Sequence, residues 1–149
     1  MPRKPGPESS NSAPRVLVVD DHRDTADSLA EALTLSGYAA RAMYDGVRAL
    51  KFAREFRPQV AMLDIGMPVM DGYELARRLR SMPETSETHL IAFTGYAEEL
   101  LRRHTEAGGQ AGFQQYLVKP VDIAQVVAAI RRLLVEDPAP LAAPDSTKP

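Results

Sequence analysis

The chain has 149 residues, with 44% hydrophobic and 26% charged side chains and a formal net charge of −2. That is the length of one domain on a prior of about 100–200 residues, and an ordinary globular composition, which excludes a collagen, a coiled coil or a wholly disordered chain. The small net charge gives no electrostatic case for nucleic acid as a partner, and the absence of cysteine removes disulfides, thiol nucleophiles and thiolate metal sites.

Residues 1–14 (MPRKPGPESSNSAP) are rich in Pro, Ser, Gly and Asn. They carry no hydrophobic period and no apolar run of a secretory signal, and read as a disordered segment. Val16–Val19 is a short uninterrupted apolar run, the pattern of a parallel strand covered on both faces; it ends in Asp20-Asp21. Ala26, Leu29, Ala30 and Leu33 then share one helical face, closed near Gly37. Ala39–Tyr44 is a weaker strand that carries Arg41 and suits a sheet edge. Val47, Leu50, Ala53 and Phe56 predict the inward face of a second helix, stopped by Pro58. Val60–Leu63 is the third strand and ends in Asp64. Leu75, Ala76, Leu79 and Met82 predict a third helix with Asp71 as its N-cap and Pro83 beyond.

Leu90–Phe93 is the fourth strand and ends in Thr94-Gly95. Residues 97–107 predict a weaker fourth helix containing Leu100, Leu101 and His104. Tyr116–Val118 is the fifth strand and ends in Lys119-Pro120. A fifth helix starts at Asp122 and presents Ile123, Val126, Val127, Ile130, Leu133 and Leu134. Residues 137–149 (DPAPLAAPDSTKP) return to Pro and Ala and read as a disordered tail. No apolar run approaches the ~20 residues that span a bilayer, so a cytoplasmic protein without a membrane partner is expected. His22, His89 and His104 lack metal-ligand spacing and read as surface or strand-end residues.

Five strands alternating with five helices predict an α/β fold over 15–136, with no room for a second domain. Right-handed crossovers favour a flavodoxin-like (βα)5 doubly wound parallel sheet of order 2-1-3-4-5. In such a sheet, functional side chains collect at the carboxyl ends of the strands, near the switch point between strands 1 and 3. Alone, Asp20-Asp21, Asp64, Thr94-Gly95 and Lys119-Pro120 are each more often turn or cap residues. Together they converge. Two carboxylates ~4 Å apart repel by roughly 4 kcal/mol at an effective dielectric of 20, so three in one cleft require a cation. An all-oxygen donor set favours a hard divalent ion, most plausibly Mg²⁺. A metal, a lysine (Lys119) and a hydroxyl (Thr94) around one carboxylate describe a phosphoryl site, with Asp64 the best nucleophile.

At these residues the chain resembles the receiver domain of two-component response regulators. The similarity runs from VLVVDDHRDTADSLAEAL through LDIGMPVMDGYELARRLR and IAFTGYA to YLVKPVD. DIGMPVMDGYELA and LVKPVD are in the style of receivers attached to hybrid sensor kinases, although no kinase accompanies them. The resemblance implies that Asp64 accepts a phosphoryl group from a phosphohistidine on a histidine kinase or histidine phosphotransfer protein. It implies that Asp21, Asp64 and the Gly66 carbonyl bind Mg²⁺ directly and that Asp20 does so through water. Lys119 and Thr94 would hold the phosphoryl group, Lys119-Pro120 would be a cis peptide, and Tyr116 would be the aromatic that reports the movement of Thr94. A receiver standing alone would signal to an unidentified downstream protein by contact or by onward phosphorelay. It would be a phosphoacceptor rather than an enzyme, with at most intrinsic autophosphatase activity.

Two departures stand out: the segment from Thr94 to Lys119 is lengthened around GGQAGF, and positions 66 and 96 are Gly and Tyr. The competing readings are a phosphorylation-independent receiver-like interaction module, a haloacid-dehalogenase-like phosphatase and a flavodoxin. The first would have lost an acid, the Thr or the Lys. The second wants an Asp where Gly66 stands, and the third wants a Ser/Thr-rich phosphate loop after strand 1.

Overall fold

A computed structural model describes residues 12–95 and 112–136. Its elements follow the chain as β1 (Arg15–Val19), α1 (Arg23–Leu35), β2 (Ala39–Met43), α2 (Gly46–Phe56) and β3 (Val60–Asp64). They continue as α3 (Gly72–Ser81), β4 (His89–Thr94), β5 (Gln115–Val118) and α4 (Ile123–Glu136). The five strands form one parallel sheet of order β2-β1-β3-β4-β5. This is the expected order, with the strand that carries Arg41 at one edge. The expected helix over 97–107, Tyr96, His104 and the terminal stretches 1–11 and 137–149 lie outside the described residues.

Side chains on a strand alternate between faces, and the two cores divide accordingly. Leu17, Val19, Ala61, Leu63, Leu90 and Ala92 face α2 and α3. Val16, Val18, Val60, Met62, Ile91 and Phe93 face α1 and α4. Both faces of β1, β3 and β4 are therefore dry, which explains their unbroken apolar runs. The α1 stripe Ala26, Leu29, Ala30 and Leu33 is buried as its spacing predicts. The predicted stripe of α2 is corrected at Val47, which is 56% exposed; the helix buries Gly46 and Ala49 alongside the expected Ala53. The cause is steric. A Cβ at Gly46 would lie 2.8–3.0 Å from the Met70 side chain, so the smallest residues of α2 face inward, flanked by half-buried Leu50, Phe52 and Phe56.

The helix starts aim the loops. Asp71 caps α3 by accepting the Glu74 N–H at 2.9 Å, as expected, and Asp45 caps α2 from Arg48 N–H at 2.8 Å. At α1 the cap is His22, whose ring accepts the Thr25 N–H. That leaves both preceding aspartates outside the helix. At the far end of the sheet, Arg80 donates to the carbonyls of Ser86, Thr88 and Gly112. It thereby ties the end of α3 to the point where the chain turns into β5.

Candidate functional site

The carboxyl ends of β1, β3 and β5 bring Asp20, Asp21, Asp64 and Lys119 into one cleft, with Thr94 at the end of β4 beside them. Asp20 follows β1 and is fully buried; its N–H donates to the Met43 carbonyl at 3.1 Å, and its Oδ1 accepts the His22 N–H at 2.9 Å. Asp64 ends β3 and is 6% exposed, while Asp21 is open to solvent. One oxygen from each of Asp20, Asp21 and Asp64 lies within 4.8 Å of the others. Lys119 reaches in from the end of β5, with Nζ 2.7 Å from Asp20 Oδ2 and 3.5 Å from Asp64 Oδ2. The Lys119-Pro120 peptide is cis, as expected.

Thr94 ends β4, 1% exposed, and its carbonyl accepts the Lys119 N–H at 2.7 Å. Gly66 is exposed and donates its N–H to Asp64 Oδ1 at 3.3 Å. It is the second residue after Asp64, so no acid occupies the place a haloacid-dehalogenase mechanism needs. Tyr116 is half-buried on β5, beside Ala92 of β4, with its ring centroid 5.7 Å from that of Phe113.

The electrostatics follow from burial. Three carboxylates face one ammonium group here, and two of the three have almost no water. The Asp64 carboxyl is pushed up to about 6. Burial is the largest cause and the Asp20 charge adds to it, while the Lys119 ammonium and the Gly66 N–H pull the other way. A buried carboxylate with this surplus of negative charge gains from a small divalent cation, and the donors are all oxygens. The residues present therefore fit a hard metal ion.

The loop from β3 to α3 fixes this geometry. Ile65, Met67 and Met70 point inward and are buried, while Gly66, Pro68 and Val69 face solvent. The Gly72 N–H closes the loop on the Ile65 carbonyl at 3.1 Å. A Cβ at Gly72 would stand 2.6 Å from the Asp64 carbonyl oxygen, so glycine is required at the first position of α3. Phe93 was not singled out in the sequence. It lies beside Asp64 in the β3–β4 register, and the Lys119 ammonium sits 5.0 Å from its ring centroid. Neither role leaves a mark in composition or period, because each depends on a contact between distant segments.

The response regulator receiver domain family matches residues 16–131. The chain belongs to this family. A curated relative, the transcriptional regulatory protein PrrA of Mycobacterium leprae (strain TN), is 40% identical over 123 residues, covering 83% of this chain and 51% of that protein. The chain thus spans about half the length of the curated relatives it matches. A CheY-like receiver domain protein from Methanospirillum hungatei JF-1 superimposes with a TM-score of 0.76 at 27% identity, covering 84% of this chain and 96% of that one. The receiver domain of sensor histidine kinase PA1611 from Pseudomonas aeruginosa PAO1 gives 0.71 at 27% identity, covering 81% of this chain and 97% of that one. That structure is described with a magnesium ion coordinated in its active site cleft. A receiver domain is a signalling domain of two-component systems rather than a metabolic enzyme. Among the described residues, no helix is long and apolar enough to cross a membrane.

Proposed function

We propose that this receiver domain accepts a phosphoryl group on Asp64 from a phosphohistidine of a histidine kinase or histidine phosphotransfer protein. The observation that carries the reading is the convergence of the buried Asp64 and Asp20 with the exposed Asp21 and with Lys119 at one strand-end cleft. An Asp64 carboxylate oxygen attacks phosphorus, the P–N bond breaks, and the departing imidazole keeps the electron pair and takes up a proton. The product is an acyl phosphate. Asp21, Asp64 and the Gly66 carbonyl would hold Mg²⁺ directly, and Asp20 through a water. When bound, the ion supplies positive charge against the phosphoryl oxygens. Lys119 exchanges its contacts with Asp20 and Asp64 for the phosphoryl oxygens, and the Thr94 hydroxyl donates to them.

The added charge of about −1.5 to −2 is local. Movement of Thr94 toward it opens space into which Tyr116 turns, changing the face a downstream protein meets. Output then runs by protein contact or onward phosphorelay in the cytoplasm, and water attack on the acyl phosphate resets the domain. The folded unit would be 15–136. Incubation with acetyl phosphate and Mg²⁺ tests the reading by intact mass. One hydroxylamine-labile phosphoryl group is expected, and it should be absent without Mg²⁺ and in Asp64→Asn. Undiminished labelling of that variant would remove Asp64 from the role.

A further inference from the structure

We propose that Phe93 is a positioning residue for Lys119: its buried ring is the seat that holds the ammonium group over Asp20 and Asp64. Phe93 is fully buried on β4, within the core shared with Val18, Met62, Val126 and Ile130. Its backbone is fixed beside Asp64, because its carbonyl accepts the Ile65 N–H at 3.2 Å. Lys119 Nζ lies 5.0 Å from the ring centroid, inside the roughly 6 Å at which a cation is attracted to the negative face of an aromatic ring.

The need for such a seat comes from the lysine itself. Its four-carbon stem has many accessible rotamers, and its side chain is 23% exposed. The two carboxylates attract the ammonium but do not define its place once a phosphoryl group arrives and competes for it. A neutral ring does not compete with the phosphoryl oxygens, so it holds the stem both before and after transfer. An aliphatic side chain would fill the same core volume without offering a negative face.

The consequence for phosphorylation rests on the function proposed above, whereas the placement of Lys119 does not. Fluorination of the ring separates charge from shape. In the full chain, Phe93→pentafluorophenylalanine keeps the packing and removes the negative face, 4-fluorophenylalanine retains most of that face, and Phe93→Leu removes the ring. The Lys119 ε-methylene protons should show an upfield ring-current shift in the wild type, lost in the leucine variant and changed by pentafluorination. The initial rate of Mg²⁺-dependent phosphorylation by acetyl phosphate should fall about tenfold with pentafluorophenylalanine and stay near wild type with 4-fluorophenylalanine. A pentafluorinated protein that reacts at the wild-type rate overturns the assignment. If the wild type itself takes no phosphoryl group, the proposed function fails, and the proton shifts alone decide the seat: Lys119 resonances indifferent to residue 93 refute it.

Discussion

Gly72→Ala places one methyl group against the backbone at the end of β3. The new Cβ would stand 2.6 Å from the Asp64 carbonyl oxygen and 2.9 Å from Ile65 Cα. Carbon–oxygen contacts settle at about 3.3 Å or beyond, so the gap must open by about 0.7 Å. Neither neighbour can rotate away, because both are backbone. Ile65 is also held by hydrogen bonds to Phe93 at 3.2 Å and from Gly72 at 3.1 Å. Either the end of β3 or the start of α3 moves. Overpacking of this kind costs about 1–3 kcal/mol, and a nucleophile displaced by a large fraction of an ångström loses about 10- to 100-fold in rate. Urea unfolding and the initial rate of acetyl phosphate labelling in Mg²⁺ read the two effects. Gly95→Ala is the control for stability. Among the described residues nothing lies within 4 Å of a Cβ there, and the change should stay within about 0.5 kcal/mol. Wild-type stability and rate in Gly72→Ala would refute the close approach on which the loop geometry depends.

Asp64→Asn should stabilise the metal-free protein at about pH 7.5. The folded carboxyl is raised from 3.8 to about 6, so its favourable contribution is full below the unfolded value and is lost as pH rises through about 6. The gap to wild type should reach about 3 kcal/mol above that range and close toward pH 4, followed by urea titration across pH. Mg²⁺ binding should strengthen as pH rises past about 6, where Asp64 sheds its proton, and Asp21→Ala should weaken it at least about tenfold by calorimetric or NMR titration. Val69→Asn should stabilise by about 1 kcal/mol in thermal unfolding. A β-branched residue at φ 69° is strained, and Val69 is fully exposed with no packing to lose.

The strands were legible because β1, β3 and β4 are buried on both faces and leave runs such as Val16–Val19 that no helix face produces. Asp20, Asp64, Thr94 and Lys119 were legible for a related reason: each is the first polar group after an apolar run, Asp21 follows Asp20 directly, and parallel strands put those ends side by side. Helix α2 was misread at Val47 because hydrophobicity alone cannot report that Met70 presses on Gly46 and turns the small residues inward. Gly72 and Phe93 were passed over for the same cause. One answers to the Asp64 backbone and the other to a lysine 26 residues later in the chain, and neither contact exists before the sheet closes. His22 taking the cap of α1, with Asp20 folded back on the His22 N–H, shows the same limit at short range.

Chemical trapping decides whether Asp64 carries the phosphoryl group. Protein labelled by a phosphohistidine donor or by acetyl phosphate in Mg²⁺ is reduced with borohydride, which converts an aspartyl phosphate to homoserine, and the peptides are sequenced by mass spectrometry. Conversion is expected at position 64 alone, with Asp20 and Asp21 recovered unchanged. Conversion at Asp20 or Asp21, or a stable phosphoryl group on a serine, threonine or histidine with none at 64, would contradict the assignment to Asp64.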